Sequence, residues 1–223
     1  MLTPHKSTPP LQMASDSGSR DQSKLRTYPR SECVVFYTTN APFGGLSNMA
    51  SGYPIVVNGR KIRTIEALYQ ACRFPSRPDV QQFIIAEPSP LVAKRKTLPY
   101  RSETRPDWDS VRHKIMRWSL QVKLAQNYNK FGELLLATGA RPIVEQSRKD
   151  NYWGAFVKEG GFLVGQNVLG RLLMELRMHL QAGIAEDLRV VPPLALSDFL
   201  LLGEAIETID SRGEAPPTQS RLL

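Results

Sequence analysis

The stretch "TIEALYQACRF", residues 64–74, predicts a short amphipathic helix with two different side-chain faces. The apolar face has helical spacing and consists of Ile65, Leu68, Tyr69 and Cys72. Glu66, Gln70 and Arg73 follow the same spacing on a neighbouring face. Such a polar stripe is either a solvated surface with an internal ion pair or one wall of a ligand site. The rest of the chain has to decide between these two interpretations.

The composition of the 223-residue chain fits one globular domain with flanking segments, since 41% of the residues are hydrophobic and 22% are charged. No run approaches the ~18 apolar residues needed to cross a bilayer, and the N-terminus lacks the apolar core of a secretory signal. We therefore expect a cytoplasmic protein that does not bind membranes. Cys33 and Cys72 form no disulfide or metal-ligand pattern, so we expect no structural zinc ion and no cofactor.

The formal charge of +8 is concentrated in one third of the chain. Residues 60–130 contain 15 Lys or Arg and 6 Asp or Glu, whereas the charges of the remaining residues nearly balance. A basic region of this kind attracts a polyanion, either nucleic acid or a phosphorylated ligand. The alternative is an ordinary solubilising surface.

The hydrophobic pattern predicts a single α+β domain that is mainly helical, with a small β-hairpin or sheet. Residues 1–31 are polar and are predicted to be disordered, because they cannot bury enough apolar surface to offset the entropy of ordering. The run "ECVVFYTT" (32–39) predicts a strand. Asn58-Gly59 predicts a two-residue type I′ turn between two short strands.

Helical segments are predicted to fill most of the chain after residue 64. The longest begins at Pro106-Asp107, and its buried stripe consists of Val111, Ile115, Trp118, Val122 and Ala125. Residues 162–181 read as a loop that leads into another helix. The main domain is predicted to span residues 32–183. A helical extension follows at 184–210, with Ser197 as the cap of its last helix, and residues 211–223 are predicted to be disordered.

Several familiar catalytic motifs are absent from the sequence, including phosphate-binding loops, Gly-x-Ser-x-Gly and paired histidines at metal spacing. The histidines, His5, His113 and His179, are scattered and read as surface residues. An enzyme with this sequence would therefore work with carboxylates, lysines and amides.

Two loops carry polar residues suited to a nucleotide. Ser47 and Asn48 follow two glycines in "GGLSN", where backbone amides and short side chains can hold a ribose or phosphate. In "KDNYWG", Trp153 can stack on a base while Asp150 accepts a hydrogen bond from a sugar hydroxyl. The alternatives are ordinary loop formation by Asn and Ser and a Trp in the core.

Two helices offer further candidates. Asn167 and Gly170 stand at a helix start, which is either an anion-binding terminus or an ordinary N-cap. Lys123 flanks a buried stripe, where partial desolvation would lower its pKa and make it nucleophilic. The commoner fate of such a lysine is to extend its ammonium to solvent.

The ordered series of these segments resembles the NADAR family, which is named for an association with NAD and ADP-ribose and includes the YbiA-like N-glycosidases. The resemblance runs from about Val34 to Leu180. Its segments are "PFGGLSN", "NGRKIRTIEALYQACRF", "AK", "RPDWDSVRHKIM", "KLAQN", "LLLATG", "IVEQSRKDNYWG" and "GQNVLGRLLMELR".

The resemblance implies an enzyme that cleaves N-glycosidic bonds of nucleotide-like substrates without a metal. One branch of the family hydrolyses early riboflavin-pathway intermediates. The other removes ADP-ribose from guanine in nucleic acid and so reverses a DNA-modifying ADP-ribosyltransferase toxin. The common pattern resembles Glu-His-Tyr-Tyr-Gln-Ala-x-Lys-Phe, from which this chain departs at Ala67 and Arg73. "EALYQACRFP", "GRLLMELR" and the basic third resemble the toxin-associated branch, since a DNA adduct presents phosphates on both sides.

Residue roles also follow from the resemblance. It implies Glu66 as acid and base, Lys94 or Lys123 as a nucleophile that opens the ribose to a Schiff base, and Asp150 as a further catalytic residue. The implied substrate-binding residues are Phe43, Gly44, Ser47, Asn48, Gln70, Arg73, Trp108, Trp153, Gly154, Asn167 and Gly170, and no residue is assigned to a metal.

The function expected from the sequence is removal of ADP-ribose from guanine in DNA, which is the activity of an antitoxin. The expected partners are ADP-ribosylated DNA, the product ADP-ribose, and a cognate ADP-ribosyltransferase toxin encoded in the same operon. Two alternatives stay open: an N-glycosidase acting on riboflavin-pathway intermediates, and a non-catalytic module that binds ADP-ribose.

Overall fold

The computed structural model describes residues 24–183 and 187–213 as an α+β domain made mainly of helices. The helices are α1 (Ile65–Ala71), α2 (Pro78–Ala86), α3 (Pro90–Lys96), α4 (Trp108–Gln126), α5 (Tyr128–Leu136) and α6 (Val168–Gln181). The strands are β1 (Arg26–Pro29), β2 (Val34–Phe36), β3 (Ile55–Val57), β4 (Arg60–Ile62), β5 (Ile143–Glu145), β6 (Phe156–Lys158), β7 (Phe162–Gly165), β8 (Val190–Val191), β9 (Leu200–Leu201), β10 (Glu204–Ala205) and β11 (Ile209–Asp210). The fold class predicted from the sequence is therefore confirmed.

The 19-residue helix α4 lies at the centre of the hydrophobic core. It packs against α1, α5 and α6. Its predicted stripe is buried throughout, with exposed fractions of 5% or less for Val111, Ile115, Trp118, Val122 and Ala125. The indole nitrogen of Trp118 is also satisfied, because it donates to the carbonyl oxygen of Pro192 at 3.0 Å.

The start of α1 is fixed by the hairpin that precedes it. Strands β3 and β4 pair antiparallel, and Asn58 and Gly59 between them have φ of 48° and 70°. Positive φ at both turn positions is the type I′ geometry, so the hairpin prediction is confirmed. Thr64 then caps α1 by accepting a hydrogen bond from the Ala67 N–H at 3.2 Å. These two features place Glu66 in the first turn.

Two small sheets support the other half of the domain. One has the strand order β1-β7-β6 and is antiparallel; the other is the parallel pair β2 and β5. Strand β1 lies within the segment predicted to be disordered, and β7 within the segment predicted to be a loop, so both predictions are wrong there. Residues 26–29 form a strand despite their polar composition, because pairing with β7 satisfies the hydrogen-bonding groups of their backbone. Residues 1–23 lie outside the described residues.

The C-terminal segment also differs from its prediction. The helix expected after Ser197 is absent, and the antiparallel pairs β9–β10 and β8–β11 occupy the region instead. The buried apolar residues there are Phe199, Leu201, Ile206 and Ile209, and the period of two at Phe199 and Leu201 fits a strand. Ser211, placed in a disordered tail by the sequence, is 2% exposed. Residues 184–186 and 214–223 lie outside the described residues.

Candidate active site

The polar face of α1 is buried rather than solvated. Glu66 and Gln70 are 5% and 4% exposed, and the Gln70 side-chain N–H donates to Glu66 Oε1 at 2.9 Å. Arg73, just past the helix end, donates from Nε to Thr104 Oγ1 at 2.9 Å. A carboxylate is rarely buried unless it is paired or used, so this geometry excludes the simple surface ion pair as the explanation of the stripe.

Lys94 is the ion-pair partner of the buried carboxylate. Its Nζ lies 3.5 Å from Glu66 Oε1, and its side chain is half exposed. Helix α3 is placed by Ser89, whose hydroxyl accepts from the Val92 N–H, and by the buried Ala93. The lysine therefore reaches the carboxylate from the solvent side, where a substrate can approach it.

A second acidic residue, Glu145, lies near Glu66 and Lys94 and is not among the residues that the sequence analysis selects. It ends β5 and is half-buried. Burial and, to a smaller extent, the negative charges of Glu66 and Asp150 together raise the pKa of Glu145 to about 7, although the positive charge of Lys94 opposes the shift. Glu66, Lys94, Glu145 and Asp150 are called the acid–lysine cluster below.

Asp150 organises the loop that joins the cluster to the aromatic residues. Its Oδ1 accepts hydrogen bonds from the backbone N–H groups of Tyr152 and Trp153 at 2.8 and 2.9 Å. Gly154 follows, and a Cβ there would lie 2.6 Å from the Glu145 carbonyl oxygen and 3.3 Å from its Oε2. The loop therefore passes directly over the end of β5, and only glycine permits this approach. The structure gives Asp150 a positioning role; its catalytic role stays a prediction.

An aromatic wall stands beside the cluster and consists of Tyr69, Trp108, Tyr152 and Trp153. Tyr69 lies on α1, with its ring centroid 4.9 Å from that of Trp108 and 5.6 Å from that of Trp153. The three rings other than Tyr69 are only partly buried. Flat faces of this size can stack on a base.

Two guanidinium groups flank the aromatic wall. The Arg73 Cζ lies 5.7 Å from the centroid of the Trp108 ring, and the Arg112 Cζ lies 3.8 Å from that of Tyr152. Burial lowers the pKa of Arg73, and the nearby charge of Arg101 lowers it further. The guanidinium nonetheless keeps its proton in a protein, so the wall carries fixed positive charge suited to phosphate.

The glycine-rich loop lies against α1. Phe43 has φ of 61°, and a Cβ on Gly44 would lie 2.3 Å from the Thr39 carbonyl oxygen. The Asn48 carbonyl oxygen accepts from the Glu66 N–H at 3.0 Å. The Asn48 side chain is 6% exposed and has no partner for its Oδ1 among the described residues. The loop thus borders the cluster, and its contact with substrate stays a prediction.

Lys123 holds this loop from beneath and is fully buried. Its Nζ donates to the carbonyl oxygens of Gly45 and Ser47 at 2.6 and 3.2 Å. The same nitrogen lies 4.5 Å and 4.2 Å from the ring centroids of Tyr53 and Phe131. Burial lowers the pKa of Lys123 to about 7. The direction of this shift is the one that the sequence analysis predicts. Its ammonium is enclosed by the loop and two rings, however, so Lys123 does not share the surface on which Lys94 lies.

Asn167 and Gly170 support β5. Asn167 is fully buried; its Oδ1 accepts from the Glu145 N–H and its Nδ2 donates to the Ile143 carbonyl oxygen. A Cβ on Gly170 would lie 2.1 Å from that same carbonyl oxygen. Both residues therefore fix the strand that ends in Glu145, and a direct contact with substrate stays a prediction.

Comparisons with known proteins identify the family of this chain. The model of the NADAR domain matches residues 35–181. The chain belongs to the NADAR family. N-glycosidase YbiA of Escherichia coli is 38% identical over 147 residues, which cover 66% of this chain and 88% of YbiA. The NMR structure of E. coli YbiA covers 69% of this chain and 87% of its own, with a TM-score of 0.58 and 36% identity.

Other NADAR relatives have names that point to two activities. An N-glycosidase of Nostoc punctiforme is 31% identical over 150 residues, covering 66% of this chain and 92% of that protein. A riboflavin biosynthesis protein of Vibrio vulnificus is 34% identical over 150 residues, covering 66% of this chain and 38% of that protein.

Two departures from the common NADAR pattern lie in α1 and directly after it. Ala67, which stands where the pattern has His, is buried between Glu66 and Leu68 and brings no chemistry to the site. Arg73 replaces the Lys of the pattern and cannot act as a nucleophile. Among the residues that the structure describes, no helix is long and apolar enough to span a membrane, and no group of three or more His, Cys, Asp or Glu could hold a metal ion.

Proposed function

We propose that this NADAR protein is an N-glycosidase that removes ADP-ribose from guanine bases of DNA. The observation that carries the catalytic part is the pairing of a half-exposed lysine with a buried carboxylate, Lys94 with Glu66, at 3.5 Å. The names of the N-glycosidase relatives support cleavage of an N-glycosidic bond. A domain that only binds ADP-ribose would have no use for a nucleophile beside a proton acceptor.

Lys94 is the better nucleophile of the two lysines suggested by the sequence. Glu66 lies close enough to take the proton that Lys94 must lose before its nitrogen can attack the ribose C1″. Lys123 already donates to two carbonyl oxygens and lies beneath the glycine-rich loop. Attack by Lys94 would give a glycosylamine, whose ring opens to a Schiff base that water hydrolyses.

The arginines beside the aromatic wall support a substrate with a diphosphate. Arg73 and Arg101 lie close enough for the charge of one to act on the other, and Arg112 stacks on Tyr152. Asp109 offsets part of this positive charge, and a doubly charged anion could offset the rest. The diphosphate of ADP-ribose is such an anion.

The charge distribution supports DNA as the carrier of the adduct. Of the fifteen basic residues in 60–130, six form ion pairs with carboxylates and Lys123 is buried. Exposed cations without an ion-pair partner among the described residues include Arg95 on α3 and Arg101 in the following turn. Phosphates on either side of a modified guanine could contact such residues. An ADP-ribosyltransferase toxin would be the natural source of the adduct and the cognate partner.

A second candidate function is cleavage of a small riboflavin-pathway intermediate. The names of the V. vulnificus relative and of a Zea mays relative, 33% identical over 161 residues, favour it. Cleavage of either substrate would depend on Lys94 and Glu66, but only the DNA adduct would need phosphate contacts outside the site.

The deciding experiment incubates the protein with an ADP-ribosylated DNA oligonucleotide and, separately, with phosphorylated ribosyl-amino-pyrimidine intermediates. Loss of the DNA adduct with release of ADP-ribose supports the proposal. Turnover of the small molecule alone would replace it with the second candidate. Binding of ADP-ribose without turnover of either substrate would show a non-catalytic module. Lys94→Arg serves as the inactive control.

A further inference from the structure

The acid–lysine cluster contains two acids, Glu145 and Asp150, besides the Glu66 that the nucleophilic step needs. We propose that Glu145 is the proton donor to the departing base, a role distinct from that of Glu66, and this inference rests on the N-glycosidase function proposed above. A departing guanine nitrogen is a poor leaving group unless it is protonated as the bond breaks. The cluster contains three carboxylates, and their hydrogen bonds separate their roles.

Two of the three carboxylates already have hydrogen-bond or ion-pair partners. Glu66 accepts from the Gln70 amide and pairs with Lys94. Asp150 accepts from the backbone N–H groups of Tyr152 and Trp153, and its negative charge strengthens these bonds, so it is better suited to hold this turn than to carry a proton. In the part of the chain that the structure describes, no donor is recorded for the Glu145 side chain. Its carboxyl group is therefore free to carry a proton and to give it to a ligand.

The backbone of Glu145 is held firmly although its side chain is free. Its N–H donates to Asn167 Oδ1 at 3.1 Å, and its carbonyl oxygen accepts from the Ala155 N–H at 2.8 Å. Gly154 lies beside the carboxyl group, where a Cβ would stand 3.3 Å from Oε2. The half-buried side chain of Glu145 thus extends from a firmly held backbone. A proton donor needs such positioning more than it needs strength.

The charges around Glu145 favour its neutral form. Burial raises its pKa, the negative charges of Glu66 on α1 and Asp150 in the loop add to that effect, and Lys94 on α3 opposes it. The resulting pKa of about 7 leaves a large fraction of the carboxyl groups protonated near neutral pH. An acid catalyst works best when its pKa is close to the working pH.

The protons balance over one turnover. The Lys94 amine attacks C1″, its third proton having passed to Glu66, and the electron pair of the C1″–N bond stays with the base. Glu145 gives its proton to that nitrogen and becomes a carboxylate. Ring opening moves one N–H proton of the adduct to the ring oxygen through Glu66 and leaves the Schiff base. Water then hydrolyses the Schiff base, and the proton released returns to Glu145. Glu66 gives the proton that it took at the start back to the freed Lys94 amine, which restores the ion pair.

The test compares the pH dependence of kcat for the wild type and Glu145→Gln on the substrate that the wild type cleaves. Wild-type kcat should fall above about pH 7, as Glu145 loses its proton. Glu145→Gln should lose about 10²-fold or more in kcat at neutral pH and should lack this alkaline limb. Its KM and its affinity for ADP-ribose should stay within about threefold of wild type. Glu145→Asp, which retains a carboxyl group, should keep the limb at reduced kcat and serves if Glu145→Gln fails to fold.

The outcomes separate this inference from the proposed function. A wild-type protein that cleaves no N-glycoside overturns both. A cleaving wild type whose Glu145→Gln variant keeps its rate and its alkaline limb overturns only the role of Glu145. Loss of rate with an unchanged limb would make Glu145 a structural residue and would also overturn the proposal. Glu133→Gln, an exposed carboxylate on α5, is the matched control and should behave as wild type.

Discussion

The Nζ of Lys94 lies 3.5 Å from Oε1 of Glu66, the same oxygen that accepts a hydrogen bond from Gln70 at 2.9 Å. Glu66 Oε1 therefore accepts a hydrogen bond from an amide on its own helix, α1, and also forms the ion pair with an ammonium from α3. The amide restricts the rotation of the carboxylate, and the lysine stays mobile enough to move toward a ligand because it is half exposed. This relationship explains the polar stripe of α1 better than a solvated ion pair does.

We expect Lys94→Arg to abolish covalent trapping of the substrate. Borohydride added during turnover should reduce the Schiff base and leave ADP-ribose on wild-type protein, as mass spectrometry of peptides can show. The variant keeps the positive charge beside Glu66 but cannot form the adduct, since a guanidinium stays protonated. Lys96→Arg, two residues along the same helix and paired with Glu87, is the matched control. An adduct mapped to Lys123 instead would contradict the assignment.

We expect Glu66→Gln to reduce kcat by about 10²–10⁴-fold, because the amide cannot take the proton of Lys94. The substitution keeps the shape of the side chain, and its oxygen can still accept from Gln70. Affinity for ADP-ribose, measured by calorimetry, should change by less than about fivefold, since the proposed phosphate contacts are made by arginines and not by Glu66. A Glu66→Gln protein within threefold of the wild-type kcat would show that another base serves Lys94.

We expect Lys123→Met to change the pH dependence of stability. The pKa of Lys123 is lowered to about 7 by burial, whereas an unfolded lysine has a pKa near ~10.4. Between these values the unfolded chain holds a proton that the folded chain has lost, so the free energy of unfolding rises with pH. Below pH ~7 both states are protonated, and the full cost of the buried charge is present.

The measurement is urea unfolding of wild type and Lys123→Met from pH 7 to 10. The wild type should gain at least about 1 kcal/mol relative to the variant over this range, since one pKa unit corresponds to about 1.4 kcal/mol. Comparison of the two proteins cancels groups that titrate in both. A constant difference across the range would show that Lys123 stays charged, held by the carbonyl oxygens of Gly45 and Ser47.

Local signals in the sequence were sufficient for the helices and the β3–β4 hairpin, while the remaining sheets depend on distant pairing. Asn58-Gly59 specifies its turn by itself, because the two residues favour positive φ. Strand β1 is polar, and its partner β7 lies more than a hundred residues away. The apolar run Phe199–Leu202 is too short to distinguish a strand from a helix. In the structure the Gln81 side chain donates to the Leu200 carbonyl oxygen and accepts from the Leu202 N–H, which stabilises the extended form.

The residues of the candidate site show the same contrast between local sequence signals and distant packing. Glu66 and Gln70 were recognisable because helical spacing places them together. Glu145 was missed although it follows two buried β-branched residues, Ile143 and Val144, which mark the end of a core strand. A carboxylate at that point is a usable signal. The short distance between Glu145 and Lys94, however, cannot be recognised in the sequence, since it depends on how β5 packs against the rest of the domain.

The last prediction concerns the exposed cations of residues 60–130. If Arg95 and Arg101 contact phosphates beside the adduct, binding must release counterions, and affinity for a modified oligonucleotide should fall about tenfold or more between about 50 and 200 mM salt. Free ADP-ribose, with two charges, should lose much less. Arg95→Glu with Arg101→Glu should weaken the oligonucleotide and flatten its salt dependence. Lys158→Glu with Arg212→Glu changes the net charge by the same amount at two exposed residues outside this region and is the control for net charge. Equal salt slopes for the two ligands would remove the basic residues from the proposal and leave a small molecule as the substrate.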